Sequence, residues 1–221
     1  MFDILDQQPD FIVINKHPQV SVHKDEQESS LLMEIQKQLG CGQLYLVHRL
    51  DKMTSGILLL ATSQSAASEL SQAFADRKVE KFYLALSDKK PKKKQGLIKG
   101  DMTKSRRSAW KLLPTNENPA MTQFFSQACE GKRVFLCKPK TGKTHQIRVA
   151  LKSIGSPILG DPIYNPTSNA DRGYLHAYGL AFEYQGEKYQ YRCSPVGMGE
   201  LWNEEQLTSW RQPEALNWPR V

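Results

Sequence analysis

The longest uninterrupted apolar run in this chain is six residues, Gly56-Ile57-Leu58-Leu59-Leu60-Ala61. Six residues suit a buried strand, are too few for a core helix, and fall far short of the roughly 18 needed to span a bilayer. Shorter runs of the same kind recur, at Phe11-Ile12-Val13-Ile14, Val20-Ser21-Val22-His23 and Tyr45-Leu46-Val47. A chain of 221 residues patterned in this way builds its core from several short strands.

Further strands are predicted over residues 56–62, 81–86, 121–128, 133–137, 174–184 and 188–193, the last two joined by a turn at Gln185-Gly186. Between them lie four helical segments. One runs from a cap at Ser29 or Ser30 through Leu39 and stops at Gly40. A second covers residues 63–76, with Ala66, Leu70, Ala73 and Phe74 on one face. The others cover residues 144–154 and 199–210. Strands joined by short turns outnumber strand–helix alternation, so the expected class is α+β, with a mixed, largely antiparallel sheet flanked by helices and loops in one domain over residues 1–221.

The net charge of +7 is concentrated in one place. Residues 88–107 contain nine basic and two acidic side chains, which is the whole excess, and they read as an inserted basic loop. Lys and Arg gathered in this way displace condensed counterions from phosphates, so the loop suggests a polyanionic partner; a solvated surface loop fits the charge equally well. The N-terminus carries no basic segment followed by an apolar stretch, so the chain reads as cytoplasmic and not membrane-bound. Cys41, Cys129, Cys137 and Cys193 are far apart and the five histidines supply no paired ligands, so no metal is expected.

Two polar segments can carry chemistry. In His48-Arg49-Leu50-Asp51-Lys52-Met53-Thr54-Ser55-Gly56, charged groups sit between two apolar runs. A carboxylate there beside a guanidinium stays ionised, which suits a nucleophile or a stabiliser of positive charge. A structural Arg–Asp pair pinning a turn is the plain alternative. The second segment, Lys138 to Arg148, contains Gly142-Lys143-Thr144, but a phosphate-binding loop needs glycine where Cys137 stands, and Pro139 removes an amide. Read instead as a turn into a helix, it places Arg148 on the face of Leu151, pointing inward, where it requires a carboxylate partner; Asp51 is one candidate.

The segment from His48 to Gly56, followed by Leu58-Leu59-Leu60-Ala61, resembles the signature of the RluA family of pseudouridine synthases. Four other stretches are similar to motifs of that family, in the right order. They are Ile14-Asn15-Lys16 with Val20, Val22 and His23; Val79-x-Lys81-x-Tyr83-x-Ala85; Thr141 to Val149 with Gly155 to Tyr164; and Leu175-His176-Ala177 with Leu180 and Phe182. The likeness runs from about residue 11 to 195. It departs at Lys16-His17-Pro18, where Lys-Pro-x-Gly is usual, and at Ala150, where histidine is common. No module of the S4 type is expected ahead of residue 11, so the resemblance is to members without one.

The resemblance implies the pseudouridine synthase fold and an enzyme that isomerises uridine in ribosomal or transfer RNA without a cofactor, acting as a monomer on structured RNA. It implies that Asp51 is the catalytic carboxylate, that Arg148 pairs with it, and that Tyr83 stacks on the uracil. Ile147 would floor the pocket, and Arg49, His48, Thr54, Lys143, His145, Lys104, Arg106 and Arg107 would contact RNA. Two other readings stand beside it: a nucleoside or glycoside hydrolase pairing Asp51 with a second carboxylate such as Asp161, and a catalytically silent RNA-binding protein of the same fold.

Overall fold

A computed structural model describes residues 1–22 and 28–220, with the backbone alone at 28–30. In chain order the elements begin with β1 (Phe2–Gln7), β2 (Phe11–Lys16), α1 (Glu28–Leu39), β3 (Tyr45–Leu46), β4 (Ser55–Ala61) and α2 (Gln64–Ala75). Next come β5 (Glu80–Ser87), β6 (Gln95–Lys104), β7 (Trp110–Leu113), β8 (Ala120–Cys129) and β9 (Lys132–Pro139). Then follow α3 (Gln146–Ser153), β10 (Leu175–Tyr184), β11 (Glu187–Arg192) and 3-10 turns at Glu205–Trp210 and Pro213–Ala215. Among the described residues, no helix is long and apolar enough to cross a membrane.

The chain forms two compact units: Met1–Glu80 with Ala177–Ser194, and Lys81–His176 with Pro195–Val221. In the first, the strand order is β1-β2-β4-β10, with β3 also on β4 and β11 on β10. Both β2 and β4 are buried along their whole length, as their continuous apolar runs require, and they pair antiparallel from Phe11↔Ala61 to Lys16↔Gly56. Phe11 meets Phe182 and Tyr189 edge-on at 5.5 and 4.9 Å. Helix α2 lays Ala66 and Leu70 into this core, with Ala73 and Phe74 packed at its margin, and the Ser63 hydroxyl caps it by accepting the Ala66 N–H at 3.2 Å.

The second unit is an antiparallel sheet in the order β5-β9-β8-β6-β7. Its core includes Phe82, Leu84, Phe124, Phe135 and Leu136. Trp218, beyond the last turn, packs on Phe82 and Phe125 with ring centroids 5.9 and 4.9 Å away.

The class is as expected, α+β with a mostly antiparallel arrangement of strands. Several elements differ from the sequence reading. The basic run is a strand for much of its length: Gln95–Lys104 forms β6, hydrogen-bonded to β8 and β7, with Lys99 and Lys104 turned to solvent. Charge hid the strand, because a ladder uses only the backbone and tolerates lysine on an exposed face. Phe2–Gln7 is also a strand, masked in the sequence by the polar residues Asp3, Asp6 and Gln7, of which Asp3 and Gln7 are exposed. Residues 20–22 are not a strand, although Ser21 and Val22 are buried, and His23 lies outside the described residues. Helix α1 starts at Glu28, before both serines expected to cap it. The helix expected over 199–210 is reduced to the turn at Glu205–Trp210.

Candidate active site

In the first unit, Asp51 opens a tight turn in which its carbonyl accepts the N–H of Thr54 at 2.9 Å. Aspartate suits that first turn position, and the turn delivers the chain straight into β4 at Ser55. Asp51 itself is half-buried and Arg49 is exposed. Three features fix the turn. The His48 ring stacks on Phe74 at 4.5 Å, and its Nε2 accepts the Leu59 N–H of β4 at 3.0 Å. Lys16, with no exposed surface, donates from Nζ to the carbonyls of His17, Val20 and Lys52 at 2.9, 2.8 and 3.4 Å. The last of these belongs to the residue after Asp51, so a buried ammonium ties the turn to the end of β2. Gly56, at φ +108, lets β4 start hard against β10, since a Cβ there would stand 2.3 Å from the Ala177 oxygen.

Thr54, within the turn, is only 2% exposed. His48 meets the β4 amide and the Phe74 ring.

In the second unit, Tyr83 is half-buried on β5 opposite Cys137 of β9. The strand β9 runs into a turn whose geometry is set by Gln146. Its Oε1 accepts the Thr141 hydroxyl and the Lys143 N–H at 2.6 and 3.0 Å, and its Nε2 donates to the Met121 carbonyl and Thr122 Oγ1 at 3.0 Å each. That buried amide uses all of its hydrogen-bonding capacity, as a buried amide must. His145 enters α3 in the left-handed conformation, φ 57, and begins the helix without a side-chain cap. Lys143 and His145 are half-buried beside it, and Ile147 is buried on the first turn.

Arg148 follows, 3% exposed, held by Asp161 in a two-pronged pair: Nε to Oδ2 at 2.7 Å and Nη2 to Oδ1 at 2.9 Å. Asp161 has no exposed surface and also accepts the N–H groups of Ile163 and Tyr164. Gly160 makes this possible: at φ +69, a Cβ would lie 1.7 Å from the Arg172 oxygen. The inward arginine and its need for a carboxylate are as the sequence suggested, and Asp161 is one partner that meets it. Four donors and complete burial occupy this carboxylate in holding the local structure.

Lys104, Arg106 and Arg107 are exposed at the tip of the β6–β7 hairpin. The tip is closed by Ser105 N–H to the Ala109 carbonyl at 2.8 Å, with Arg107 and Ser108 left-handed at φ 56 and 59. Sequence reasoning missed Gln146 and Lys16 as supports and Asp161 as a partner of Arg148. A polar residue inside an apolar stretch was the available signal, but only the fold says which groups it satisfies.

Comparison with known proteins gives consistent matches. Residues 10–153 match the family model described as RNA pseudouridylate synthase. The chain is 52% identical over 202 residues to an "Uncharacterized RNA pseudouridine synthase" of Haemophilus influenzae, covering 90% of each protein. It is 41% identical over 124 residues to "Ribosomal large subunit pseudouridine synthase C" of Rickettsia bellii, covering 54% of this chain and 41% of that one. In fold it is similar to the solved structure of "Human RNA Pseudouridylate Synthase Domain Containing 1", with a TM-score of 0.77 at 24% identity over 95% of this chain and 94% of that one.

Proposed function

The chain belongs to the family of RNA pseudouridylate synthases, and from that premise we propose that Asp51 is the carboxylate with which it isomerises uridine in ribosomal or transfer RNA. The observation that carries this reading is the Asp51–Thr54 turn, which sets a half-buried aspartate at the entry to the buried strand β4 inside the matched region. The reaction breaks the bond from uracil N1 to ribose C1′ and forms one from C5 to C1′. The proton on C5 leaves to solvent and N1 gains one, so no oxidant, reductant or cofactor is needed. Asp51 acts on the electron-poor sugar while the base turns. Tyr83 stacks on the uracil, and Arg148, aligned by Asp161, supplies a fixed positive charge. Arg49 and the hairpin residues Lys104, Arg106 and Arg107 hold phosphates, which offsets part of the cost of extruding a nucleotide.

The test is tritium release from RNA labelled at uridine C5, with transfer RNA and ribosomal RNA from cells lacking the enzyme as separate substrates. Native protein releases tritium from one of the two pools, and Asp51→Asn, which keeps a residue suited to the turn, releases none. An active Asp51→Asn protein removes Asp51 from the chemistry. Free uracil among the products would identify a hydrolase, and silence on both pools would identify a binding protein.

A further inference from the structure

One buried residue of the second unit is unused by this mechanism, and three parts of the unit converge on it. Tyr164 is 4% exposed. Its hydroxyl accepts the backbone N–H of Trp110, the first residue of β7, at 2.9 Å, and lies 2.9 Å from Nδ1 of His145 at the start of α3. Its ring carries the Arg148 guanidinium at 5.1 Å and the Lys152 ammonium at 5.7 Å. Its own N–H donates to Oδ1 of Asp161, the same oxygen that receives Nη2 of Arg148. The residue therefore touches the β6–β7 hairpin beside its turn, the entry to α3, and both halves of the buried ion pair.

The contact with Trp110 is the informative one. Trp110 stands opposite Lys104 in the β6–β7 ladder, and the Lys104 ammonium lies 5.9 Å from its ring. The exposed arginines 106 and 107 occupy the turn between them. The amide at this edge is satisfied by a side-chain hydroxyl from the segment that holds Arg148 in place. Since the amide donates to the phenolic oxygen, the phenolic proton can be given to Nδ1 of His145, and the hydroxyl links hairpin and helix through two bonds. A ring serving only to fill space and carry the guanidinium needs no hydroxyl.

We infer that Tyr164 is a positioning residue that couples RNA docking on the β6–β7 hairpin to the placement of Arg148. This rests on the synthase reading above. Phosphates drawn to Arg106 and Arg107 pull on the hairpin turn; Trp110 beside that turn moves with the Tyr164 hydroxyl, and the ring beneath Arg148 moves with the hydroxyl. The guanidinium then keeps its register with the docked RNA.

The decisive variant is Tyr164→Phe, which keeps the ring and deletes both hydroxyl bonds. For tritium release, KM rises about tenfold while kcat falls less than threefold, the scale of one lost hydrogen bond on binding. Combined with Arg106→Ala and Arg107→Ala, which remove the pull itself, the hydroxyl has no further effect, so the fold-changes do not multiply. Fully multiplicative effects would overturn the inference. Trp110→Pro removes the same bond from the other end and gives the same KM pattern if Tyr164→Phe fails to fold; an unchanged KM in that variant also overturns it. A second readout is independent of chemistry: RNA slows amide exchange in both the hairpin and α3 of native protein, but in the hairpin alone of Tyr164→Phe. Slowing of α3 that persists in the variant sinks the coupling, whereas absence of tritium release from native protein sinks the synthase reading and leaves the exchange result to decide the coupling.

Discussion

At the scale of single residues, the carboxylate of Asp161 accepts hydrogen bonds from Arg148 and from the amides of Ile163 and Tyr164. Removing one partner of a buried pair costs more than the pair itself is worth, because a charge is left without compensation. Asp161→Asn is therefore expected to lower the free energy of unfolding by about 3–5 kcal/mol, read from urea titrations of tryptophan fluorescence. A loss below about 1 kcal/mol would mean that Arg148 is held mainly by other contacts. Lys16 follows the same logic with neutral partners, since three backbone carbonyls receive its buried ammonium. Its position next to Asn15 in an apolar strand was visible in the sequence, but its link to the Asp51 turn was not, since Lys52 is 36 residues away.

At the scale of elements, α3 depends on a side chain before it and one within it. His145 takes a left-handed conformation that an imidazole adopts at a cost. Gln146 then ties the turn at Thr141–Lys143 to Met121 and Thr122 of β8. Gln146→Leu fills similar volume but leaves the Lys143 amide and two threonine hydroxyls short of a partner. It is expected to destabilise by about 2 kcal/mol or more, with a lowered kcat as Arg148 loses its fixed approach. An unchanged urea midpoint would show that the turn holds its shape without the amide. The β6–β7 hairpin teaches the converse. Its lysines and arginines suggest a polyanion-binding segment, whereas its backbone pairing was not legible from charge.

At the scale of the whole molecule, the first unit ties the N-terminal strand to the β10–β11 hairpin through Asp6 and Tyr191, 2.6 Å apart. Burial alone would raise the Asp6 pKa, but hydrogen bonds from Tyr191, Gln8 and the Gln7 amide outweigh it and hold the group below its ordinary 3.8. Burial pushes the Tyr191 hydroxyl upward, and its bond to Asp6 adds to the shift. A depressed carboxylate stabilises the folded state above 3.8, and that contribution is lost as the pH falls through the folded value. A raised phenol contributes below its ordinary value of 10.0 and loses that contribution in strong alkali. Tyr191→Phe is thus expected to lower stability at neutral pH and to flatten the decline in stability below about pH 4. Equal acid slopes for the two proteins would remove Asp6 from acid unfolding.

The sequence by itself determined the class of fold, the Asp51 turn and the family motifs, because these are local: short apolar runs form buried strands, and a polar turn between two of them has few conformations. It also determined that Arg148 points inward and needs an acid. Tertiary structure alone decided that Asp161 is an acid held against Arg148, that Thr54 is buried, and that basic residues lie on a paired strand. Each of those depends on which backbone passes nearby. A hydrogen-bond donor specifies that it requires a partner, and only the folded chain determines which one it meets.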